Sequence, residues 1–360
     1  MIPTATPTPA PLPQPHPSPE ELHLLYVLLD SNLPTGGFVS SSGLESYAKH
    51  GFLSSSSSSS SSYSSSSSSE PIPRENGGGG SKAITLNGVV EFARAEVGNY
   101  GNTTGGFVRA SWEMVDQALR LRKGKGKERP MGGRVEGEEE VVDWVVGRIA
   151  ALDRYHEATL LSHVARRSSK AQGVAMLTLF TRGLSRPVGL YHNDEDQGED
   201  LGESESESEQ LEGIAKDIVD QYKKVIRKGE APGHLAICFG VMTRVLGLSL
   251  DRAIHLHLFL HARSLLSSAV RLNLIGPYAS SQLLLHPFRE IIDIEVRHIE
   301  ERTIEIESVG VGSDEPKVQV DENDFWAWTE EAERGPATTW PLGEVLTGRH
   351  DLQHSRIFNS

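Results

Sequence analysis

The chain carries a single cysteine, Cys238, among its 360 residues. It can build no internal disulfide framework and no cysteine-based zinc site, and the count fits a reducing compartment. Long hydrophobic runs are missing too. No window approaches the ~18 consecutive apolar residues of a membrane span. Met1 to Glu20 is rich in proline, lacks any basic residue and holds no apolar stretch long enough for a secretory leader. These absences lead to the expectation of a cytoplasmic protein without a membrane. Positive charge is also scarce, with 35 Lys and Arg against 49 Asp and Glu, a net charge of −14. Ten of the acidic residues fall between Asp194 and Glu212, where no basic residue occurs, so the rest of the chain carries −14 + 10 = −4. The acidity belongs to one solvated segment, and nucleic acid is not an expected partner. Two catalytic signatures are absent as well. Gly77 to Lys82 reads Gly-Gly-Gly-Gly-Ser-Lys, without the Gly-Lys-Ser/Thr order of a phosphate loop. No Gly-x-Ser-x-Gly elbow occurs. No enzyme activity is expected.

Hydrophobic residues make up 37% of the chain, below the usual globular share, and low-complexity tracts account for the deficit. Residues 1–17 read as a disordered proline-rich arm. Further tracts near 54–81, 122–140, 192–210 and 308–322 read as insertions that bury too little apolar surface to order themselves. They interrupt one domain, residues 18–349, and leave 350–360 as a tail. Ser18 caps and Pro19 starts a first helix, with Leu22, Leu25, Tyr26 and Leu29 on one face. A second short helix runs from Gly43 to His50 and stops at Gly51.

Elsewhere apolar residues recur at helical spacing. Phe107, Ala110, Met114 and Ala118 form one stripe. Val141, Val142, Val145, Ile149 and Leu152 form another, and Leu211, Ile214, Ala215, Ile218, Tyr222 and Val225 a third. Leu250 to Ile275 is apolar on most sides, as a central helix would be, and Pro287 starts or breaks a helix. Period-2 alternation bounded by hairpin turns does not occur. The fold class is therefore all-α, a multi-helix bundle interrupted by long disordered insertions.

Several segments carry chemistry. Leu28 to Phe38, with Asp30, Ser31, Pro34, Gly36 and Gly37, reads as a shaped connector. Pro34 fixes its own φ, and the glycine pair permits left-handed or closely approached backbone. Either a tight capped turn or contact with a partner accounts for it. His257 and His261 lie one turn apart on a helix and could reach one ion, but no carboxylate or thiolate lies near them in sequence. His255 points elsewhere. Small residues at Gly233, Ala236 and Gly240 let a helix approach its neighbour closely. Arg271 stands amid apolar and small residues and wants a carboxylate or carbonyls. The tail from His350 to Ser360 holds Arg356, Ile357 and Phe358, residue types that anchor interfaces. It either docks on its own domain or binds a partner.

The Leu-x-Asp-Ser-x-Leu-Pro-x-Gly-Gly-Phe segment, followed by Ser42-Gly43-Leu44-Glu45, resembles the N-terminal signature of the urease accessory protein F (UreF) family. Gly233-His234 with Phe239-Gly240, Ser268-Ala269-Val270-Arg271-Leu272 with Gly276 and Gln282, and the terminal Ser355-Arg356-Ile357-Phe358-Asn359-Ser360 are similar to three further blocks of that family. The resemblance implies an all-α, usually dimeric protein without activity of its own. It implies a role in inserting nickel into apo-urease, as an adaptor between a D/H-type accessory protein and a nickel-carrying G-type GTPase. It further implies no stably bound cofactor, with nickel handled inside the complex. By motif match it assigns partner contact to Asp30, Ser31, Pro34, Gly36, Gly37, Arg356, Ile357 and Phe358, and to His234 and Arg271. Two alternatives stand beside it: a nickel carrier using His257 and His261, and a helical scaffold unrelated to urease.

Overall fold

The computed structural model describes residues 17–30, 40–55, 78–123, 138–185, 202–301 and 335–358. They fall in two units, Met1–Leu33 and Pro34–Ser360. Every regular element among the described residues is helical, and no strand occurs among them. The all-α expectation holds. No helix among the described residues is long and apolar enough to cross a membrane.

The first unit contributes α1 (Pro19–Leu28), whose start follows the capping rule. The Ser18 hydroxyl accepts from the Glu21 backbone N–H at 3.1 Å, and Pro19 sits in the first turn. The expected buried face does not hold. Tyr26 is 64% exposed and Leu28 is the buried residue. Leucines and valine surround this helix on all sides, so spacing alone could not select the face.

The second unit contains α2 (Leu44–Lys49), α3 (Phe52–Ser55), α4 (Gly78–Tyr100), α5 (Gly106–Lys123), α6 (Glu138–Thr159), α7 (His163–Leu179) and α8 (Gly202–Arg227). These are followed by α9 (Leu235–Val245), α10 (Leu250–Arg271), α11 (Pro277–Leu285), α12 (Pro287–Glu301) and α13 (Pro341–Gly348). A π-helical turn, Gly101–Gly105, joins α4 to α5, and a 3-10 turn, Arg349–Leu352, follows α13. Around α9 pack α5 and α7, backed by the paired α6 and α8. A second group places α4, α10 and α12 together, with α2, α3 and α11 at its edge, and α10 joins the two groups by touching α5 and α9. Phe92, Leu258, Leu265, Phe288 and Ile292 lie in the core of that second group. The three stripes read from the sequence face inward. Phe107, Val145, Ile149, Leu152, Ile218 and Tyr222 have no solvent exposure. Each such aliphatic side chain contributes roughly 1.5–3 kcal/mol on burial.

Some expected boundaries shift. The most enclosed helix is α9, buried continuously from Ala236 to Thr243, whereas α10 is amphipathic and exposes His255. It also ends at Arg271, because Asn273 turns left-handed (φ 57°) before Gly276-Pro277 starts α11. Helices reach into three expected insertions. The backbone of α8 is helical from Gly202, inside the acidic-serine tract. Glutamate is a good helix former, and negative charge favours a helix N-terminus. Propensity does not account for the start of α4 at Gly78, since each glycine costs about 1 kcal/mol in a helix. Thr303–Glu307, whose alternating Thr-Ile-Glu-Ile-Glu is expected to continue a charged helix, lies outside the described residues, as do Trp326 and Trp328 of the tryptophan-bearing stretch 325–341.

Two glycines allow close approach around α9. A Cβ on Gly240 would stand 2.1 Å from Ser111 Oγ and 2.4 Å from the Val108 carbonyl oxygen of α5. A Cβ on Gly173 of α7 would stand 2.2 Å from the Gly233 carbonyl oxygen and 2.9 Å from the Leu235 nitrogen. Backbone cannot swing aside as a side chain can. Gly173→Ala is therefore expected to destabilise by about 1–3 kcal/mol through overpacking. Scanning calorimetry measures this, and an unchanged melting temperature would refute the packing account.

Candidate partner-binding site

Two polar centres organise the second unit, one interior and one at its surface. The interior centre starts from Asp153, an acid on the buried face of α6 with no solvent exposure. Its carboxylate accepts from the Tyr222 hydroxyl at 2.7 Å, the Gly233 N–H at 2.6 Å and the His234 N–H at 3.1 Å. It thereby seats the turn that enters α9, where Gly233 is left-handed (φ 79°) and His234 is the N-cap residue. The His234 ring meets Glu157 at 2.5 Å, and Glu157 also accepts from Lys170 at 2.9 Å. His234 is thus wholly interior, and the contact it makes here is with its own chain.

The rings of His257 and His261 stack on Tyr100, with centroids at 4.9 and 3.6 Å. His257 Nε2 is joined to the Thr104 hydroxyl at 3.0 Å. A carboxylate does stand near this pair, since His261 Nε2 lies 3.5 Å from Glu96 Oε1. It comes from α4, far off in sequence. Among the described residues no group of three or more His, Cys, Asp or Glu side chains is placed to hold a metal ion. His255 is half exposed and faces Asp293 at 3.9 Å.

The surface centre assembles three blocks that are distant in sequence. Ser42 and Gly43 both take positive φ, 48° and 84°, and turn the chain into α2. At Gly43 a Cβ would stand 2.8 Å from Thr347 Oγ1, so the turn also lets α13 approach. Glu45, in the first turn of α2, is completely buried. Its two oxygens accept the Ile357 N–H at 2.9 Å and the Phe358 N–H at 3.3 Å. Lys49 donates to Glu45 at 2.9 Å, to the Gln353 side chain at 3.0 Å and to the Ser355 carbonyl. Burial alone would raise the Glu45 carboxyl, but these hydrogen bonds outweigh it and hold the group below the usual carboxylate range.

Phe358 is 3% exposed, and the Arg271 guanidinium lies over its ring at 5.7 Å. Arg271 therefore meets an aromatic face of the tail. His350, itself buried, reaches the Phe358 carbonyl oxygen at 3.1 Å. One residue away Ile357 is 62% exposed. It borders a cleft of about 340 Å³ lined also by Ala48, Leu272, Leu274 and Arg356. Asp351 ties the tail to α7. It accepts two hydrogen bonds from Arg167, at 3.0 and 3.1 Å, and one from Arg356 at 2.9 Å. The Arg167 hydrogen bonds hold its carboxyl down to about 2. Farther up, Asn99 Oδ1 accepts from Thr338, Thr339 and Trp340 and fixes the entry to α13.

Of the residues expected to meet partners, Arg271, Arg356, Ile357 and Phe358 come together. Asp30 is exposed in the first unit. Ser31, Pro34, Gly36 and Gly37 lie outside the described residues. Sequence reasoning missed Glu45 as a site residue, although it was quoted within the signature, and it missed Lys49, Asp351 and Asp153. A carboxylate on an apolar stripe was the available signal for Asp153, which shares a face with Ile149 and His156.

Burial depresses the imidazoles of His156, His234, His255 and His257, the last to about 3. The unfolded chain protonates them near 6.5. Below that pH it binds more protons than the folded chain, so their contribution is complete above about pH 6.5 and is lost as the pH falls. Burial raises the Glu96 and Asp153 carboxyls, which act in the opposite sense. With four imidazoles against two carboxyls, the melting temperature is expected to drop between about pH 7.5 and about pH 5.5, and His257→Gln, which cannot titrate, to flatten that slope. A melting temperature constant over this range would contradict the assignment.

A family model described as UreF matches residues 88–287. Over 341 residues the chain is 59% identical to urease accessory protein 6 of Cryptococcus neoformans var. grubii, which covers 95% of this chain and 98% of that protein. It is 23% identical over 343 residues to a UreF-like urease accessory protein of Schizosaccharomyces pombe, described as uncharacterized, with 94% and 97% covered. A UreF of Corynebacterium glutamicum is 29% identical over 103 residues, 29% of this chain and 43% of that protein. The helical fold, the family model and the near full-length likeness agree: the chain belongs to the UreF family.

Proposed function

We propose that this protein serves urease maturation in the cytoplasm as a non-enzymatic adaptor. In this reading its helical body, working as a homodimer, holds a D/H-type accessory protein and a nickel-carrying G-type GTPase together before apo-urease. Nickel is cargo of the assembled complex, and GTP hydrolysis belongs to the partner. The likeness to urease accessory proteins over nearly the whole chain supports the process. One structural observation supports the surface. The tail, the start of α2 and the end of α10 converge, and there Ile357 stands 62% exposed beside an apolar-walled cleft. Solvent-facing aliphatic residues flanked by arginine suit a protein interface.

The experiment is co-purification with the D/H-type accessory protein together with urease activity in cells lacking the endogenous gene. Ile357→Asp places a charge on the exposed side chain and leaves Phe358 and Glu45 in place. It is expected to weaken partner capture by about tenfold or more, the scale of an interface hot spot, and to lower urease activity, with helical circular dichroism retained. Undiminished capture by this variant would remove the tail from the mechanism. Full urease activity in cells without the chain would remove the process.

A further inference from the structure

Glu45 is a fully buried carboxylate whose neighbours are all donors: the Lys49 ammonium and two successive amides of the tail. A buried carboxylate left with one exposed lysine as partner would be costly. Its placement is favourable only with residues 357 and 358 seated on it. The reverse holds as well. With Glu45 ionised, both amides are turned to one side, Phe358 goes under Arg271, and Ile357 is left facing out.

We infer that Glu45 is a positioning residue that makes the tail's binding surface conditional: it seats the tail through backbone N–H groups, and the partner meets Ile357 only while the tail is seated. The inference rests on the adaptor reading and adds a control residue that touches no partner. Glutamine has nearly the same shape as glutamate but replaces one acceptor oxygen with an NH2 donor. In Glu45→Gln a donor therefore confronts a donor.

The test uses the full chain. Amide hydrogen exchange is followed at Ile357 and Phe358, with the Gly233 and His234 amides, held by Asp153, as internal controls. Glu45→Gln is expected to speed exchange at the two tail amides by about tenfold or more, the scale of a charged hydrogen bond, without moving the controls. Capture of the purified D/H-type accessory protein falls by a similar factor. Phe358→Ala, which unseats the tail from the other side and leaves Glu45 intact, is expected to give the same pair of changes. It replaces Glu45→Gln if that variant does not fold. Tail amides that stay protected in the variants overturn the inference, and so does undiminished capture with the tail amides loosened. Failure of the adaptor reading is separable. There Ile357→Asp has no effect on capture, while the exchange response to Glu45→Gln still appears.

Discussion

A carboxylate without water must find donors, and this fold is arranged around that requirement. Asp153 meets it with a phenol and two backbone amides, which come from α8 and from the turn before α9. A capped entry to α9 lets that helix run buried from Ala236 to Thr243. Because Gly240 and Gly173 are bare at the two crossings, α5 and α7 approach its backbone closely. Removing Asp153 would leave the Tyr222 hydroxyl and two amides buried and unpaired together, each a loss of about 1–3 kcal/mol.

Glu45 repeats the device at the edge, with a different consequence. Around Asp153 all partners belong to the packed interior, so the network does nothing except hold. Around Glu45 two of the donors belong to the tail, which is otherwise held through His350, Asp351, Phe358 and Lys49. An identical chemical requirement is structural in one place and conditional in the other. Lost chain entropy decides this. Releasing a short peripheral segment recovers roughly 1–2 kcal/mol of backbone freedom per residue, comparable to the contacts holding it, whereas Asp153 is bound by groups of the packed interior.

Much of this was legible in sequence, and the rest was not for physical reasons. Helical stripes such as Val145, Ile149 and Leu152 depend only on spacing, and all are buried. The cap at Ser18 and the stop of α2 before the left-handed Gly51 follow local rules and appear where expected. The face of α1 was not readable because its apolar residues lie all round. The motif blocks were legible as blocks, but their division of labour was not. His234 was read as a contact residue and is interior, since its partners Asp153 and Glu157 come from another helix. No spacing rule reveals a pairing between Glu45 and a tail over 300 residues away.

The tail shows why a motif match alone mixes two kinds of residue. Ile357 and Phe358 are neighbours, yet one is 62% exposed and the other 3%. Arg356 spends a hydrogen bond on Asp351, and Ser355 offers its carbonyl to Lys49. Arg356, Phe358 and the Ser355 carbonyl are therefore engaged within the chain, and of Ile357 the amide is held while the side chain faces out. On the adaptor reading, removing the whole tail would take away the proposed partner contact and also strip a buried carboxylate of its donors, so loss of binding after truncation would not identify the residue that the partner touches. Where self-docking and display share one short segment, only substitutions of single side chains, chosen by burial, separate holding from presenting.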